Sequence, residues 1–249
     1  MTTTMTARRL LEQVLWSLGA LAAAGALLAC GVRVRDDASV STEQLAVRAG
    51  PGRDGQALAQ LRYRAQGGAR DAQRALGLAL LETGQPVGGE PLRWLQAAQQ
   101  QGDVLAAYEL GRLLAQPGPL HDEAAAARDF EQAAAQGHAG AALQRALLAR
   151  RTQDGGTAAL WLDRAAQGHD PQAMFLLANA LREGDGVPRD EVRALALYRE
   201  AAALEYPPAH QALAMAYERG ELGLPRDAEQ AREALAEVAH SLKHPPVSR

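Results

Sequence analysis

Between Asp170 and Ala202 the apolar positions follow a helical beat that breaks once and then resumes. Ala173, Leu177, Ala180 and Leu181 recur at the three- and four-residue spacing that gathers side chains on one helix face. Asp170 supplies a cap, and Pro171 fits a first-turn position that needs no backbone donor. Gly184, Gly186 and Pro188 stop the helix, and Val187 is expected to turn back into the core. Asp190 restarts a helix whose expected apolar face is Val192, Leu195, Tyr198 and Ala202. The pattern predicts one helix–turn–helix unit.

Four further stretches copy it. First helices are expected near Ala72, Ala106, Ala142, Ala173 and Ala209. Second helices carry a large apolar residue at Trp94, Phe130, Leu162, Tyr198 and Leu235, followed in most copies by paired alanines such as Ala133-Ala134 and Ala201-Ala202. Gly102, Gly137 and Gly168 are expected to end second helices at equivalent positions. The third copy departs most, because the short stretch Arg150 to Thr157 stands in place of the long loop and predicts a tighter hairpin. A single hairpin cannot bury its apolar stripe alone, so the units must stack. The expected fold class is all-α, an α-solenoid of about five stacked helix–turn–helix repeats. The apolar content is mainly Ala and Leu, and aromatics make up only 4% of the chain, which leaves little to build a sheet.

The recurring elements A-x-x-x-L-G, G-x-G-V-x-x-D and A-A-x-x-G resemble the Sel-like repeat, a relative of the tetratricopeptide repeat. Leu76-Gly77 and Leu110-Gly111 match the first element, while Leu177-Ala178 and Leu213-Ala214 carry alanine instead. The loop is complete from Gly184 to Asp190 and close to complete from Gly220 to Asp227. The resemblance covers residues 68–243 and implies that first helices line a concave, partner-binding face. Carried over from the Leu-Gly anchor, the inward positions are Tyr108, Arg112, Gln144, Phe175, Asn179, Gln211, Met215 and Glu218. Tyr, Arg and Met are frequent contact residues at protein interfaces.

The amino terminus carries a different pattern. Arg8 and Arg9 precede an apolar run from Val14 to Ala29 that is too short for an ordinary membrane span and suits a signal h-region. It ends Leu27-Leu28-Ala29-Cys30, which resembles the lipobox of bacterial lipoproteins. The resemblance implies cleavage before Cys30, lipidation of its thiol and, with Gly31 next, sorting to the outer membrane on its periplasmic side. The expected division is therefore 1–29 signal peptide, 30–54 lipidated cysteine and flexible tether, 55–67 a partial capping repeat, 68–243 the solenoid, and 244–249 a disordered tail. Within the tether only Leu45 to Val47 is expected to form a short structured piece.

Composition narrows the chemistry. No Ser or Cys lies between Gly55 and His240, and Lys243 is the only lysine, so nucleophilic Ser or Cys, Schiff-base Lys and phosphate-loop Lys are missing from the body of the protein. No catalytic residue, cofactor or metal is expected. His138 and His169 each follow a glycine, and His240 and His244 lie four apart, yet neither pair reads as a metal site. A net charge of −3 argues against nucleic acid as a partner. The expected function is a non-catalytic scaffold for one or more envelope proteins or peptides, held to the membrane by a lipid anchor and serving an assembly such as a secretion or exopolysaccharide machine. The alternative is a cell-wall glycan-associated protein, with or without enzymatic activity.

Overall fold

The computed structural model describes residues 39–50, 52–84 and 88–243, with side chains as far as residue 238. Cys30, the apolar run before it and the tail 244–249 lie outside the described residues. Among the described residues there are twelve α-helices and no strand, as the all-α reading requires. They fall into two units that divide at Ala106/Ala107.

The first unit holds α1 (Thr42–Ala49), α2 (Gly55–Gln66), α3 (Arg70–Glu82), α4 (Glu90–Gln100) and the start of α5 (Val104–Ala115). Helix α1 packs on both α2 and α3, and α3 pairs with α4. The expected tether therefore gives way to a helix at residue 42. Ser41 and Gln44 form a reciprocal capping box there, and Leu45 and Ala49 are buried with Leu61, Leu76 and Leu80. Arg48 donates from Nε and Nη2 to one carboxylate oxygen of Asp54 and so closes the α1–α2 turn. The stretch 55–67, expected to be half a repeat, is the second helix of a complete hairpin.

The second unit continues with α6 (Glu123–Ala135), α7 (Ala139–Arg151), α8 (Gly155–Gln167), α9 (Pro171–Glu183), α10 (Glu191–Ala203), α11 (Pro207–Arg219) and α12 (Ala228–Lys243). Pairs α7–α8, α9–α10 and α11–α12 are hairpins, and α6, α8 and α10 each also pack on the helix that follows. In the α7–α8 hairpin only residues 152–154 separate the helices, in keeping with the tight turn expected of the third copy.

One three-residue turn joins each second helix to the next first helix. A residue closes the helix, the next takes left-handed φ, and the third caps the helix that follows. The left-handed positions are Gly68, Gly102, Gly137, His169 and Glu205, and Gln153 repeats the geometry inside the α7–α8 hairpin. At the third position the amide donates back to an alanine of the pair, the second of Ala97-Ala98 and the first of the others: Asp103 to Ala98, His138 to Ala133, Asp170 to Ala165 and Tyr206 to Ala201, at 3.1–3.2 Å. This is the six-to-one closure of a Schellman turn. His138 and His169 are therefore not equivalent: His138 is the cap of α7, while His169 takes the left-handed position that glycine fills elsewhere. Gly168 sits one place earlier with φ −84°. Aligning the caps also moves the third first-helix alanine from Ala142 to Ala141, three residues after His138.

The paired alanines lie on the buried side, with Ala98, Ala133, Ala165 and Ala201 fully covered. In α10 the inward face is Ala194, Leu197, Tyr198, Ala201 and Ala202. Val192 stands about 200° round the helix from Ala194, and is 81% exposed rather than part of the apolar face. Leu235 occupies the position of Phe130, Leu162 and Tyr198 counted from the helix cap, yet is 44% exposed. Among the described residues no further repeat follows α12 to cover it. Trp94 and Trp161 are half-buried; Trp94 donates its indole N–H to Glu90 at 3.1 Å, and Arg164 lies over Trp161.

Close approach fixes the small residue of the Leu-Gly element. A Cβ on Gly111 would lie 2.7 Å from the ring of Phe130. Replacing Gly111 by Leu is expected to overpack this contact and cost roughly 1–3 kcal/mol, read as a lower urea midpoint with an unchanged slope. In the first unit, three carboxylates are held below their usual range. Backbone and Arg48 hydrogen bonds do this at Asp54, and the Thr42 hydroxyl does it at Asp71. At Glu90 burial pushes the other way, and the hydrogen bonds from Arg62 and Trp94 overcome it. The unfolded chain binds these protons more readily, so stability is fully present above the unfolded range and is lost as pH falls through the folded values, between about pH 5 and about pH 2. Urea midpoints measured across that interval should fall, and the fall should shrink in Glu90→Gln.

Candidate functional site

The eight residues expected on the partner face all lie in the second unit, on α5, α7, α9 and α11. Each helix buries one stripe and leaves a second stripe of larger or polar side chains at the surface. The structure gathers these residues into three groups.

In the first group Tyr108 stacks on His138 with ring centroids 4.4 Å apart and tilts against Phe130 at 6.0 Å. The His138 ring is itself oriented, because its Nδ1 accepts from the Ala141 amide at 3.0 Å. The guanidinium of Arg112 lies 5.9 Å from the Tyr108 ring centroid and donates to Glu109 at 3.0 and 3.2 Å. Arg112 and Gln144 line one cavity of about 370 Å³ whose floor includes Phe130 and Leu148. Sequence reasoning missed Arg151 and Gln116, which line the same cavity. Both lie at helix ends rather than on the periodic stripe, so the Leu-Gly anchor did not reach them.

In the second group Phe175 is flanked by Tyr198 at 5.8 Å and Tyr206 at 5.7 Å. The Tyr198 hydroxyl donates to Asn179 Oδ1 at 2.6 Å, which fixes the amide orientation. Burial pushes the Tyr198 hydroxyl above its usual pKa, and burial together with the Asp170 carboxylate does the same for Tyr206. Both are neutral donors at physiological pH. The third group lies on α11, where Gln211 and Glu218 are exposed and Met215 is half-buried between them. Tyr108 and Phe175 are thus partly structural, while Arg112, Gln211 and Glu218 present free surface.

A second cavity, of about 650 Å³, opens beside the loops that follow α9 and α11. It is lined by Arg182, Arg189 and Arg219 with Glu183, Glu191 and Glu221, paired in that order, so its charges balance locally. Among the described residues no group of three or more His, Cys, Asp or Glu side chains is placed to hold a metal ion. The His240 side chain and His244 lie outside the described residues. No described helix is long and apolar enough to cross a membrane.

Helical hairpins repeated through a Schellman turn, with small residues at the contacts and larger ones on the free stripe, define a helical-repeat protein of the tetratricopeptide-like class. The Sel1 repeat family model matches three stretches of the chain, residues 104–138, 171–206 and 207–233. The stretch 139–170 between them is the α7–α8 hairpin, where the long loop is missing. A Sel1 repeat protein from Oxalobacter formigenes superposes with a TM-score of 0.61 at 23% identity, over 82% of this chain and 87% of that one. A protective antigen present in uropathogenic Escherichia coli strains, described as displaying an SLR fold, superposes with a TM-score of 0.54 at 22% identity, over 80% of this chain and 54% of that one. None of the curated proteins matches the chain. Sel1 repeats generally bind protein partners.

The hydroxyl-to-amide contact of Tyr198 gives a direct check on the second group. Tyr198→Phe removes one hydrogen bond and is expected to cost about 1 kcal/mol, measured by urea denaturation. An unchanged midpoint would mean that Asn179 is oriented by something else.

Proposed function

We propose that this protein is a non-catalytic binding scaffold whose first-helix surface, from α5 through α11, gathers one or more protein partners. The observation that carries the reading is the free stripe itself. Arg112 on α5 and Gln211 and Glu218 on α11 are exposed, and Tyr108 and Phe175 on the same set of first helices are packed against neighbouring rings. Rigid aromatic bodies with polar neighbours suit an interface core and rim. The absence of Ser and Cys between Gly55 and His240, and of any lysine before Lys243, supports a binding role over nucleophilic catalysis.

The Leu27-Leu28-Ala29-Cys30 motif supports placement as a lipoprotein, lipidated at Cys30 and facing the periplasm from the outer membrane. Anchored there, the scaffold would serve an envelope assembly such as a secretion or exopolysaccharide machine. The segment between Cys30 and α1 is short, so the first hairpin would stand close to the membrane.

A crosslinked pull-down from membranes tests the binding claim, comparing wild type with Arg112→Ala/Gln211→Ala/Glu218→Ala. These three side chains are exposed, so their loss should leave circular dichroism and thermal stability unchanged. A protein captured by wild type and lost from the folded variant is the expected result. Identical capture by both would place the partner surface elsewhere, and no captured protein would make cell-wall glycan the ligand to test.

A further inference from the structure

We infer that the cavity bounded by α5, α6 and α7 takes an extended acidic peptide, seating an apolar side chain between Arg112 and Arg151. The inference rests on the scaffold reading, since Arg112 and Gln144 belong to that surface, and it adds the chemistry of the partner.

The cavity has two kinds of wall. Phe130 and Leu148 are buried and form an apolar floor, continued by Leu147. At about 370 Å³ the space admits an aliphatic side chain with part of its backbone. Gln144 and Gln116 place amide groups on its lining, and an amide can both donate to and accept from an extended backbone. The two charged lining residues are Arg112 and Arg151, and no carboxylate is among the lining residues.

Each arginine has a carboxylate neighbour outside the cavity. Glu109 receives Arg112 at 3.0 Å, and Glu123 receives Arg151 at 2.5 Å. Both guanidinium groups remain about half exposed, at 47% and 56%. Solvated pairs of this kind hold weakly, so an arriving carboxylate can share or replace the partner. Arg112 is also steered by the Tyr108 ring below it, which keeps its fork near the cavity mouth. A guanidinium fork recognises carboxylate geometry with two parallel hydrogen bonds. The apolar floor offers nothing to a phosphate or a nucleic acid backbone, so the charge complement is a peptide carboxylate accompanied by an aliphatic group.

The experiment uses the full chain and fluorescence anisotropy. The probe is an acetylated, amidated, labelled hexapeptide of alternating leucine and glutamate. The controls are the leucine/lysine and serine/glutamate peptides of the same length. Terminal blocking removes any free C-terminal carboxylate, so binding reports side-chain carboxylates. The leucine/glutamate peptide should bind saturably, and Arg112→Ala and Arg151→Ala should each weaken it about tenfold. The serine/glutamate peptide should bind at least about tenfold more weakly and the leucine/lysine peptide not at all. Failure of the leucine/glutamate peptide to bind, or binding unaffected by Arg151→Ala, overturns the inference. If the peptide fails while the surface variant still loses its partner in the pull-down, the scaffold reading stands and only the cavity assignment falls.

Discussion

Everything in this structure depends on how closely two helices can approach where they hold only small side chains. A helix of about a dozen residues is too short to be stable in water by itself, and each hairpin here has an apolar stripe it cannot cover alone. The alanines three residues after each first-helix cap, Ala72, Ala106, Ala141, Ala173 and Ala209, are all buried to within about a hundredth of their surface. So are Ala98, Ala133, Ala165 and Ala201 on the second helices. These contacts admit no larger group, as Gly111 against Phe130 shows. On the second helices the large buried residues sit where the layers leave room, at Leu95, Phe130, Leu162 and Tyr198.

That constraint also explains the turn. A second helix must end sharply and hand over to a capped first helix within three residues, and the left-handed middle residue makes this geometry available. Glycine fills it at Gly102 and Gly137, whereas His169 and Glu205 take the same conformation with side chains that favour it less. Capping compensates at one of these sites, where Asp170 accepts from the Ala173 amide at 2.8 Å. At the turn that ends in Asp103, the carboxylate is 4% exposed and receives Arg74 at 2.8 and 3.0 Å as well as the Ala106 amide at 2.9 Å. A buried carboxylate with three hydrogen bonds ties this turn to α3.

The repeat architecture was legible because it is written in small residues and punctuation: paired alanines, Asp caps and glycine loops. What stayed hidden follows from the same physics. Helix α1 is only eight residues long, too short to show a sustained apolar stripe, so it looked like a tether. The capping box of Ser41 and Gln44 was its one local signal. Val192 looked inward by its spacing from Leu195 and Tyr198, but Ala194, Leu197, Tyr198 and Ala201 define the buried face of α10. His169 looked equivalent to His138 because both follow glycine, although the turn counts from the cap. For the candidate site, the Leu-Gly anchor pointed to Tyr108, Arg112 and Gln144, and the structure sets Arg112 over Tyr108 and puts Arg112 and Gln144 on the lining of one cavity. It could not foresee that Tyr108 and Phe175 are held within aromatic clusters, nor that Arg151, at the end of α7, completes the cavity.

The central claim is that partners meet the first-helix surface. Site-specific photocrosslinking in cells tests it most directly, with the photoreactive residue placed at Gln211 or at the exposed Val192 on the second helix α10. The account predicts a discrete protein adduct from position 211 and none from position 192. An adduct from position 192, with none from 211, would contradict it and move the binding surface to the second helices.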